Sequence, residues 1–345
     1  MAEEFSVRIE PHGRTFTVPA GKPVLEAALD AGLNLPHSCK SGHCGSCRAQ
    51  LLQGRIHYPH GRPLGLSAEE ERDGLVLLCQ ARAGSPLQVR TRAVQSVADV
   101  QIKTLPCRIE RLVRLAPDVL QVWLRLPAVE PLSFQPGQYL DVLLEGGRRR
   151  SFSIASPPHD SGLLELHVRQ VAGGDFTARL FAAGAEALTA GSLLRIEGPV
   201  GQFVYRAGAG PLVMVAGGTG FAPLKSILRH LLENRIRRRV HFYWGARTAA
   251  DLYQDELARD WAEHHAAQLT YHAVLSEGEP QAAHQRRGWV HEALLTDHPD
   301  LGPFEVYAAG PPALIEVLRR ETPGHGLPPE RLYFDSFDYA PDLRR

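Results

Sequence analysis

The chain of 345 residues contains no run that approaches the roughly 20 consecutive apolar residues of a membrane-spanning helix. Its first residues also lack the basic and apolar segments of a secretion signal. Neither charge is in excess, because 38 lysines and arginines balance 38 aspartates and glutamates. We therefore expect a cytoplasmic protein that binds neither membranes nor nucleic acid.

Cysteine is scarce, and its five residues are an odd number, which disfavours a disulfide framework in a chain without an export signal. Four of the five have a spacing that indicates a metal site instead. The fifth, Cys107, lies between Pro106 and Arg108, and we interpret it as a buried, inert thiol.

The length and the changes of pattern along the chain predict three domains in a monomer. Residues 1–93 predict a small mixed α+β unit, and residues 94–103, which lack a clear period, predict a linker. Short strands separated by proline and glycine in residues 104–207 predict an antiparallel β-barrel or sandwich. Apolar strands alternate with amphipathic helices in residues 208–345, which is typical of an α/β doubly wound parallel sheet.

Three of the four spaced cysteines lie within nine residues, and the fourth follows after 31 intervening residues on a predicted strand. The spacing C-x4-C-x2-C…C is typical of plant-type 2Fe-2S clusters. Thiolates suit ferric iron with bridging sulfide, and Gly42 and Gly45 permit the backbone to approach the cluster closely. The predicted metal ligands are Cys39, Cys44, Cys47 and Cys79.

A second motif, R-S-F-S-I-A, begins at Arg150. It resembles the R-x-Y-S flavin motif of the ferredoxin–NADP reductase family, and the turn at 174–177 resembles the companion phosphate-binding turn. A guanidinium fork matches a phosphate, and exposed N–H groups at a helix start favour an anion. The resemblance implies that Arg150 and Thr177 contact the FAD pyrophosphate, that Phe152 packs on the isoalloxazine, and that Ser153 acts catalytically near flavin N5. Further FAD contacts that it implies are Ser151, His167, Val168, Gly174 and Phe176.

A third motif follows a predicted buried strand that begins at Leu212 and enters the glycine-rich turn at 217–220. Such a turn brings backbone N–H groups to a pyrophosphate. The form G-G-T-G-x-A-P resembles that of the same family, and so do the segments 243–247 and 307–312, which would line the adenosine and nicotinamide sides of a dinucleotide. The nucleotide contacts implied are Gly218, Thr219, Gly220, Gly245, Arg247, Gly310 and Pro311.

Some positions depart from the family pattern. Phe152 replaces the usual tyrosine, which keeps a stacking face but loses a hydroxyl contact, and Ala309 replaces a cysteine beside nicotinamide C4. Near the end, Phe337 resembles a residue that covers the flavin ring, and we expect a catalytic role for it. No basic pair follows Arg247 to hold a 2′-phosphate, while Asp251 is within reach, so we expect NADH in preference to NADPH.

The resemblance covers nearly the whole chain and implies a β-grasp ferredoxin domain, an FAD β-barrel and an NAD domain, as in reductase components of multicomponent oxygenases. It implies electron flow from NADH to FAD, singly to the 2Fe-2S cluster, and out to an oxygenase, its ferredoxin or a pyridoxamine-dependent sugar dehydrase. The expected exit is the Cys39 loop, which carries Lys40 and His43. Two alternatives are a zinc-stabilised NAD(P)H oxidoreductase without iron and a non-catalytic NAD(P)H-binding module.

Overall fold

The computed structural model describes residues 3–11, 13–33, 35–37, 40–42, 45–91, 102–160 and 162–337. The chain forms two compact units, one built on residues before Lys103 and the other on Lys103–Pro199 together with Phe203–Phe337. Within these described residues, no helix has both the length and the apolar character that crossing a membrane requires. Most of the predicted linker lies outside the described residues, but Lys103 already belongs to a strand.

The first unit is the predicted α+β domain, a five-stranded mixed sheet in the order β2-β1-β7-β3-β5 with a separate two-stranded β4-β6 pair. Alternation in the first hairpin buries Val7 and Ile9 on one strand and Phe16 and Val18 on the other, and these side chains share one core with helix α1. The elements are β1 (Glu4–Glu10), β2 (Arg14–Pro19), α1 (Val24–Asp30), β3 (Arg48–Gln53), β4 (Ile56–His57), α2 (Ala68–Arg72), β5 (Leu75–Leu77), β6 (Arg82–Ala83) and β7 (Leu87–Arg90).

The second unit begins with a six-stranded antiparallel sheet in the order β11-β10-β13-β8-β9-β12. Its two edge strands meet through a bridge between Ile154 and Leu166 and a backbone bond from Ala155 to Glu165, so the sheet closes into a barrel. The elements are β8 (Lys103–Ala116), β9 (Val119–Arg125), β10 (Tyr139–Leu143), β11 (Arg149–Ser153), β12 (Leu163–Arg169), α3 (Asp175–Phe181) and β13 (Leu193–Val200).

A parallel sheet in the order β17-β16-β15-β14-β18-β19 completes the second unit. Strands are added on one side of β14 and then on the other, so a topological switch point lies between the carboxyl ends of β14 and β18. The elements are β14 (Leu212–Gly217), α4 (Phe221–Glu233), β15 (Val240–Ala246), α5 (Asp255–His264), β16 (Leu269–Leu275), β17 (Gln285–Arg287), α6 (Val290–Asp297), β18 (Glu305–Gly310), α7 (Pro312–Glu321) and β19 (Leu332–Ser336).

The predicted fold class is confirmed, but details differ. Strand β8 runs for 14 residues in a region where the sequence predicts short strands, and two bulges interrupt its pairing with β9. The prediction that Cys79 lies on a strand was wrong. Strand β5 ends at Leu77, and the N–H groups of Gln80 and Ala81 both bond the Leu77 carbonyl, which closes a turn around Cys79.

Candidate functional site

Two of the predicted cluster ligands, Cys47 and Cys79, are described, and both are buried. The Cys47 carbonyl accepts a hydrogen bond at 3.2 Å from the N–H of Leu78, so the two cysteine segments lie side by side. Tyr58 lies near both thiols: burial raises the pKa of Tyr58 to about 12, the N–H of Leu77 opposes that rise, and the charges of Glu71, Cys47 and Cys79 add to it. Cys39, His43 and Cys44 lie outside the described residues.

The described part of the cysteine loop has a left-handed backbone at three positions. Lys40, Gly42 and Gly45 all have positive φ angles, of 54°, 83° and 72°. A Cβ on Gly42 would come within 2.8 Å of the Gln80 side chain and 2.9 Å of Pro63. The left-handed backbone at Lys40, Gly42 and Gly45, together with the two buried thiols, suits a thiolate-ligated cluster.

In the barrel, Arg150 lies on β11 with 8% of its surface exposed, and its guanidinium is 3.6 Å from the carboxylate of Asp175. Asp175 also pairs with Arg148 at 2.5 Å and accepts a bond from the N–H of Phe176. Burial would raise the pKa of Asp175, but the hydrogen bonds from Arg148 and Phe176 and the charges of Arg148 and Arg150 hold it below its ordinary value. Two guanidinium groups therefore meet at the start of α3, an arrangement that suits a pyrophosphate.

The turn before α3 is built by Thr177. Its hydroxyl accepts a bond from the N–H of Val171 and donates to the carbonyl of Gly174 at 3.1 Å. A Cβ on Gly174 would lie 2.8 Å from that hydroxyl, so glycine is required there. The side chain of Thr177 thus shapes the turn, and its predicted contact with the pyrophosphate stays a prediction. Phe176 is buried and packs against the half-buried ring of Phe152, with centroids 5.6 Å apart.

The flavin motif and the C-terminal strand meet at Ser153. Its hydroxyl donates to the carboxylate of Asp335 on β19 at 3.4 Å, across 182 residues of sequence. Ser151, two residues earlier on the same face of β11, donates to the buried Asp141 of the neighbouring strand. Phe337 follows β19, and its N–H bonds the carbonyl of Gly310 at 2.8 Å. The structure therefore brings together Ser153, Phe337 and the predicted nicotinamide segment.

The glycine-rich turn lies at the switch point, where it touches the segment at 309–311. A Cβ on Gly220 would lie 1.9 Å from the carbonyl oxygen of Ala309, and one on Gly217 would lie 2.7 Å from the ring of Pro311. Gly310 has a φ of 150° and packs against the backbone of Gly217. Glycine is therefore needed for two backbone segments to meet at the carboxyl edge of the sheet, where dinucleotides bind.

The second nucleotide segment ends β15 at the same edge. Gly245 packs against Val290, since a Cβ there would lie 2.8 Å from that residue's Cβ, and the side chain of Arg247 is exposed. Asp251 accepts bonds from the N–H and the hydroxyl of Thr248 and so caps a short turn. The carboxylate that suggested NADH specificity is thus already engaged in local structure.

Sequence reasoning missed how strand β12 contributes. Glu165, His167 and Arg169 alternate with the core residues Leu166 and Val168, so the three polar side chains leave the barrel on one face. The side chain of Val168 faces the barrel interior, and any contact with FAD would come from its backbone. Alternation along L-E-L-H-V-R was the available signal.

The ring of His167 is fixed from both sides. Because an ionised carboxylate only accepts, Nε2–H of His167 donates to Glu165 at 2.9 Å, and Nδ1 accepts from the hydroxyl of Tyr253 at 3.0 Å. The same ring stacks on Phe221, with centroids 5.9 Å apart. The predicted FAD contact of His167 therefore stays a prediction, since its ring faces the parallel-sheet part of the unit.

Arg169 reaches the glycine-rich turn. Its guanidinium bonds Asp118 at 2.9 Å and lies 3.9 Å from Asp251. A Cβ on Gly218, which has a φ of 53°, would be 3.7 Å from the same guanidinium. A cation from the barrel therefore lies beside the turn that would hold a pyrophosphate.

Three family models match the chain in succession. The 2Fe-2S iron-sulfur cluster binding domain matches residues 7–84, the oxidoreductase FAD-binding domain matches 106–205, and the oxidoreductase NAD-binding domain matches 214–320. The chain is also 37% identical over 332 residues to CDP-6-deoxy-L-threo-D-glycero-4-hexulose-3-dehydrase reductase from Yersinia pestis, covering 96% of this chain and 98% of that protein. The chain belongs to the three-domain ferredoxin–NADP reductase family.

Other three-domain reductases are similar over their whole length. Terephthalate 1,2-dioxygenase reductase component 2 from Comamonas is 34% identical, covering 97% of this chain and 98% of that protein. The crystal structure of Amycolatopsis cytochrome P450 reductase GcoB is 34% identical, has a TM-score of 0.77, and covers 96% of this chain and 98% of that chain. The stretches at 165–174 and 243–247 carried a resemblance to CDP-6-deoxy-glucoseen reductase, and this likeness is confirmed.

As a three-domain reductase, the chain is an oxidoreductase that uses NADH, FAD and a 2Fe-2S cluster to deliver electrons to an acceptor. The described residues fit these groups, with two buried thiols beside a left-handed loop, paired guanidinium groups near α3, and a glycine turn at the switch point. Cys107 is buried as predicted, and burial raises the pKa of its thiol to about 12.

Proposed function

We propose that Cys39, Cys44, Cys47 and Cys79 hold the cluster, that Arg150, Phe152 and Ser153 hold FAD, and that Gly218, Gly220 and Arg169 hold NADH. The observation that carries this proposal is the convergence of the flavin strand, the glycine-rich turn and the C-terminal strand through Ser153–Asp335 and Arg169–Gly218. The bound groups supply hydride acceptance from NADH and release of single electrons.

The residues of the chain orient these groups. Arg150 and Arg148 neutralise phosphate charge near α3, while Phe152 offers a ring face that Phe176 supports. Asp335 holds the Ser153 hydroxyl at the end of β11, where that strand meets β19. The N–H of Phe337 bonds the carbonyl of Gly310, and this contact supports a role for Phe337 beside the nicotinamide segment.

An absorption spectrum of the purified protein tests this proposal. It should show flavin and iron–sulfur bands, and anaerobic NADH should bleach both. NADPH should bleach the same bands only at a higher concentration than NADH, because no basic pair directly follows Arg247 to bind the 2′-phosphate. A colourless protein with stoichiometric zinc would overturn the proposal and favour the zinc alternative, and a coloured protein that NADH leaves unbleached would favour a binding module.

We further propose a monomer that works in the cytoplasm, where thiols stay reduced, and an acceptor that is an oxygenase component or a sugar dehydrase. Relatives carry names of both kinds. Reduction of each acceptor type by the NADH-reduced protein discriminates them, and light scattering of the purified protein checks the monomer.

Lys40 lies on the cysteine loop at a φ of 54°, partly exposed, and would present a cation to the acceptor. Lys40→Glu should slow acceptor reduction several-fold at low salt and leave NADH oxidation by a small dye intact. Equal loss of both activities would contradict a docking role. His43, the other expected contact, lies outside the described residues.

A further inference from the structure

The outward face of β12 lies against the parallel-sheet domain at three successive positions. Glu165 contacts Lys225 of helix α4, His167 contacts Tyr253, and Arg169 faces the turn at Gly218. Positions two residues apart on a strand move together, because the backbone between them is held by ladder hydrogen bonds to β9. The placement of Arg169 is therefore tied to the contacts that hold the other two.

The innermost of these contacts is a buried ion pair. Nζ of Lys225 donates to Glu165 at 2.7 Å, and their side chains are 5% and 1% exposed. Gln121 and His167 donate to the same carboxylate oxygen, and Gln254 accepts a second bond from the lysine at 3.0 Å. Burial would raise the pKa of Glu165, but the bond from His167 and the charge of Lys225 lower it to about 2. Burial lowers the pKa of Lys225, and the charge of Glu165 and its hydrogen bond oppose that shift.

Such a pair is a poor source of stability, since burying both charges costs about as much as their attraction returns. The pair instead fixes geometry. Separating the two residues would leave an unpaired buried charge, which is costly, so strand β12 and helix α4 stay in one relative position. Lys225 lies five residues after Gly220 on the helix that leaves the nucleotide turn. The pair therefore connects the nucleotide turn to the strand that carries Arg169.

We propose that the Glu165–Lys225 pair is a positioning element that holds Arg169 over the glycine-rich turn, so that binding of the dinucleotide depends on it. Neither residue touches the nucleotide in this scheme, and both act through Arg169. The inference rests on the proposed dinucleotide site at 217–220.

The test uses the full chain loaded with FAD and the cluster. The probe is 1,4,5,6-tetrahydro-NAD, which cannot donate hydride, titrated calorimetrically into the oxidised protein. Glu165→Gln and Lys225→Met should each raise its dissociation constant on the order of tenfold, with FAD content unchanged. Arg169→Ala should weaken binding as well, and Glu165→Gln added to Arg169→Ala should weaken it no further, because both act on one contact.

Glu305→Gln is the matched control. It breaks the Arg238–Glu305 pair, which is 3.0 Å long with the arginine 2% exposed, at the amino ends of β15 and β18, away from the nucleotide edge. This variant should lower the melting temperature and leave the dissociation constant within about twofold. Lower melting temperatures in Glu165→Gln and Lys225→Met with unchanged probe affinity would show a purely structural pair and overturn the proposal. It would also be overturned if the increases in dissociation constant caused by Glu165→Gln and Arg169→Ala multiplied in the double variant.

If the single variants lose FAD, the double variant Glu165→Gln/Lys225→Met, which leaves no unpaired buried charge, takes their place. Weaker probe binding in the double variant supports the proposal, and unchanged binding overturns it. Wild-type protein that fails to bind the probe would instead refute the proposed nucleotide site, which keeps the two failures distinct.

Discussion

Three of the four cysteines expected to hold the cluster lie within nine residues, whereas the contact between Ser153 and Asp335 joins residues 182 positions apart. The cysteine loop is a local device, whose backbone has positive φ at Lys40, Gly42 and Gly45. The flavin and nucleotide region is assembled from six strands, β11, β12, β14, β15, β18 and β19, and from the turns at 174–177 and 217–220. A substitution in the cysteine loop should therefore remove the cluster and leave the other cofactors bound. A substitution in the flavin and nucleotide region should instead weaken binding by degrees, because several elements share each contact.

The largest expected effect is on the cysteine loop. Cys79→Ala should abolish the iron–sulfur bands and acceptor reduction, because no other described thiol can replace it, while NADH oxidation by a small dye continues. Cys107→Ala is the matched control, since that thiol is equally buried but lies in the barrel. Loss of the cluster bands in both variants, measured by absorption and iron content, would contradict the proposed ligand set.

Gly220→Ala should follow, with a fall of about a hundredfold in NADH-dependent dye reduction, because its methyl group would lie 1.9 Å from the Ala309 carbonyl and force the turn open. Steady-state kinetics with NADH measure this. Gly324→Ala is the control, as nothing lies within 4 Å of its Cβ. Full activity in Gly220→Ala would show that the turn does not bind the nucleotide.

Arg150→Ala should weaken FAD binding by about 1.5 to 3 kcal/mol, the usual contribution of a charge-assisted hydrogen bond. Arg148→Ala, which removes the more exposed partner of the same aspartate, should cost much less. Fluorescence of released FAD during dilution gives both values. Equal losses of FAD affinity in the two variants would mean that Arg150 contributes no more to FAD binding than its exposed neighbour Arg148.

The smallest effect concerns pH. The pKa of Glu165 in the folded protein is about 2, below the roughly 4.3 of a glutamate in an unfolded chain. The ionised carboxylate therefore contributes its full stabilisation at pH values above about 4.3. This contribution is lost as pH falls from about 4.3 toward 2. The melting temperature of wild type should therefore fall more steeply over that window than that of Glu165→Gln. Parallel curves would show that Glu165 does not carry the charge.

The sequence by itself determined the features that depend on local spacing. The cysteine pattern, the R-S-F-S motif and the G-G-T-G turn each need only a few neighbouring residues, and the three fold types followed from the periods of apolar residues. The resemblance of these motifs then predicted the cofactors and the reductase class, which the comparisons confirmed.

Only the tertiary structure decided which distant groups meet. Barrel closure between Ile154 and Leu166 turns Glu165, His167 and Arg169 toward the parallel sheet, and no local signal specified that Lys225 would neutralise Glu165. The same applies to Asp251, whose carboxylate caps its own turn. Long-range pairing depends on packing and burial over the whole unit, which local propensity does not encode. The approach of Arg169 to the glycine-rich turn is therefore visible only in the folded unit.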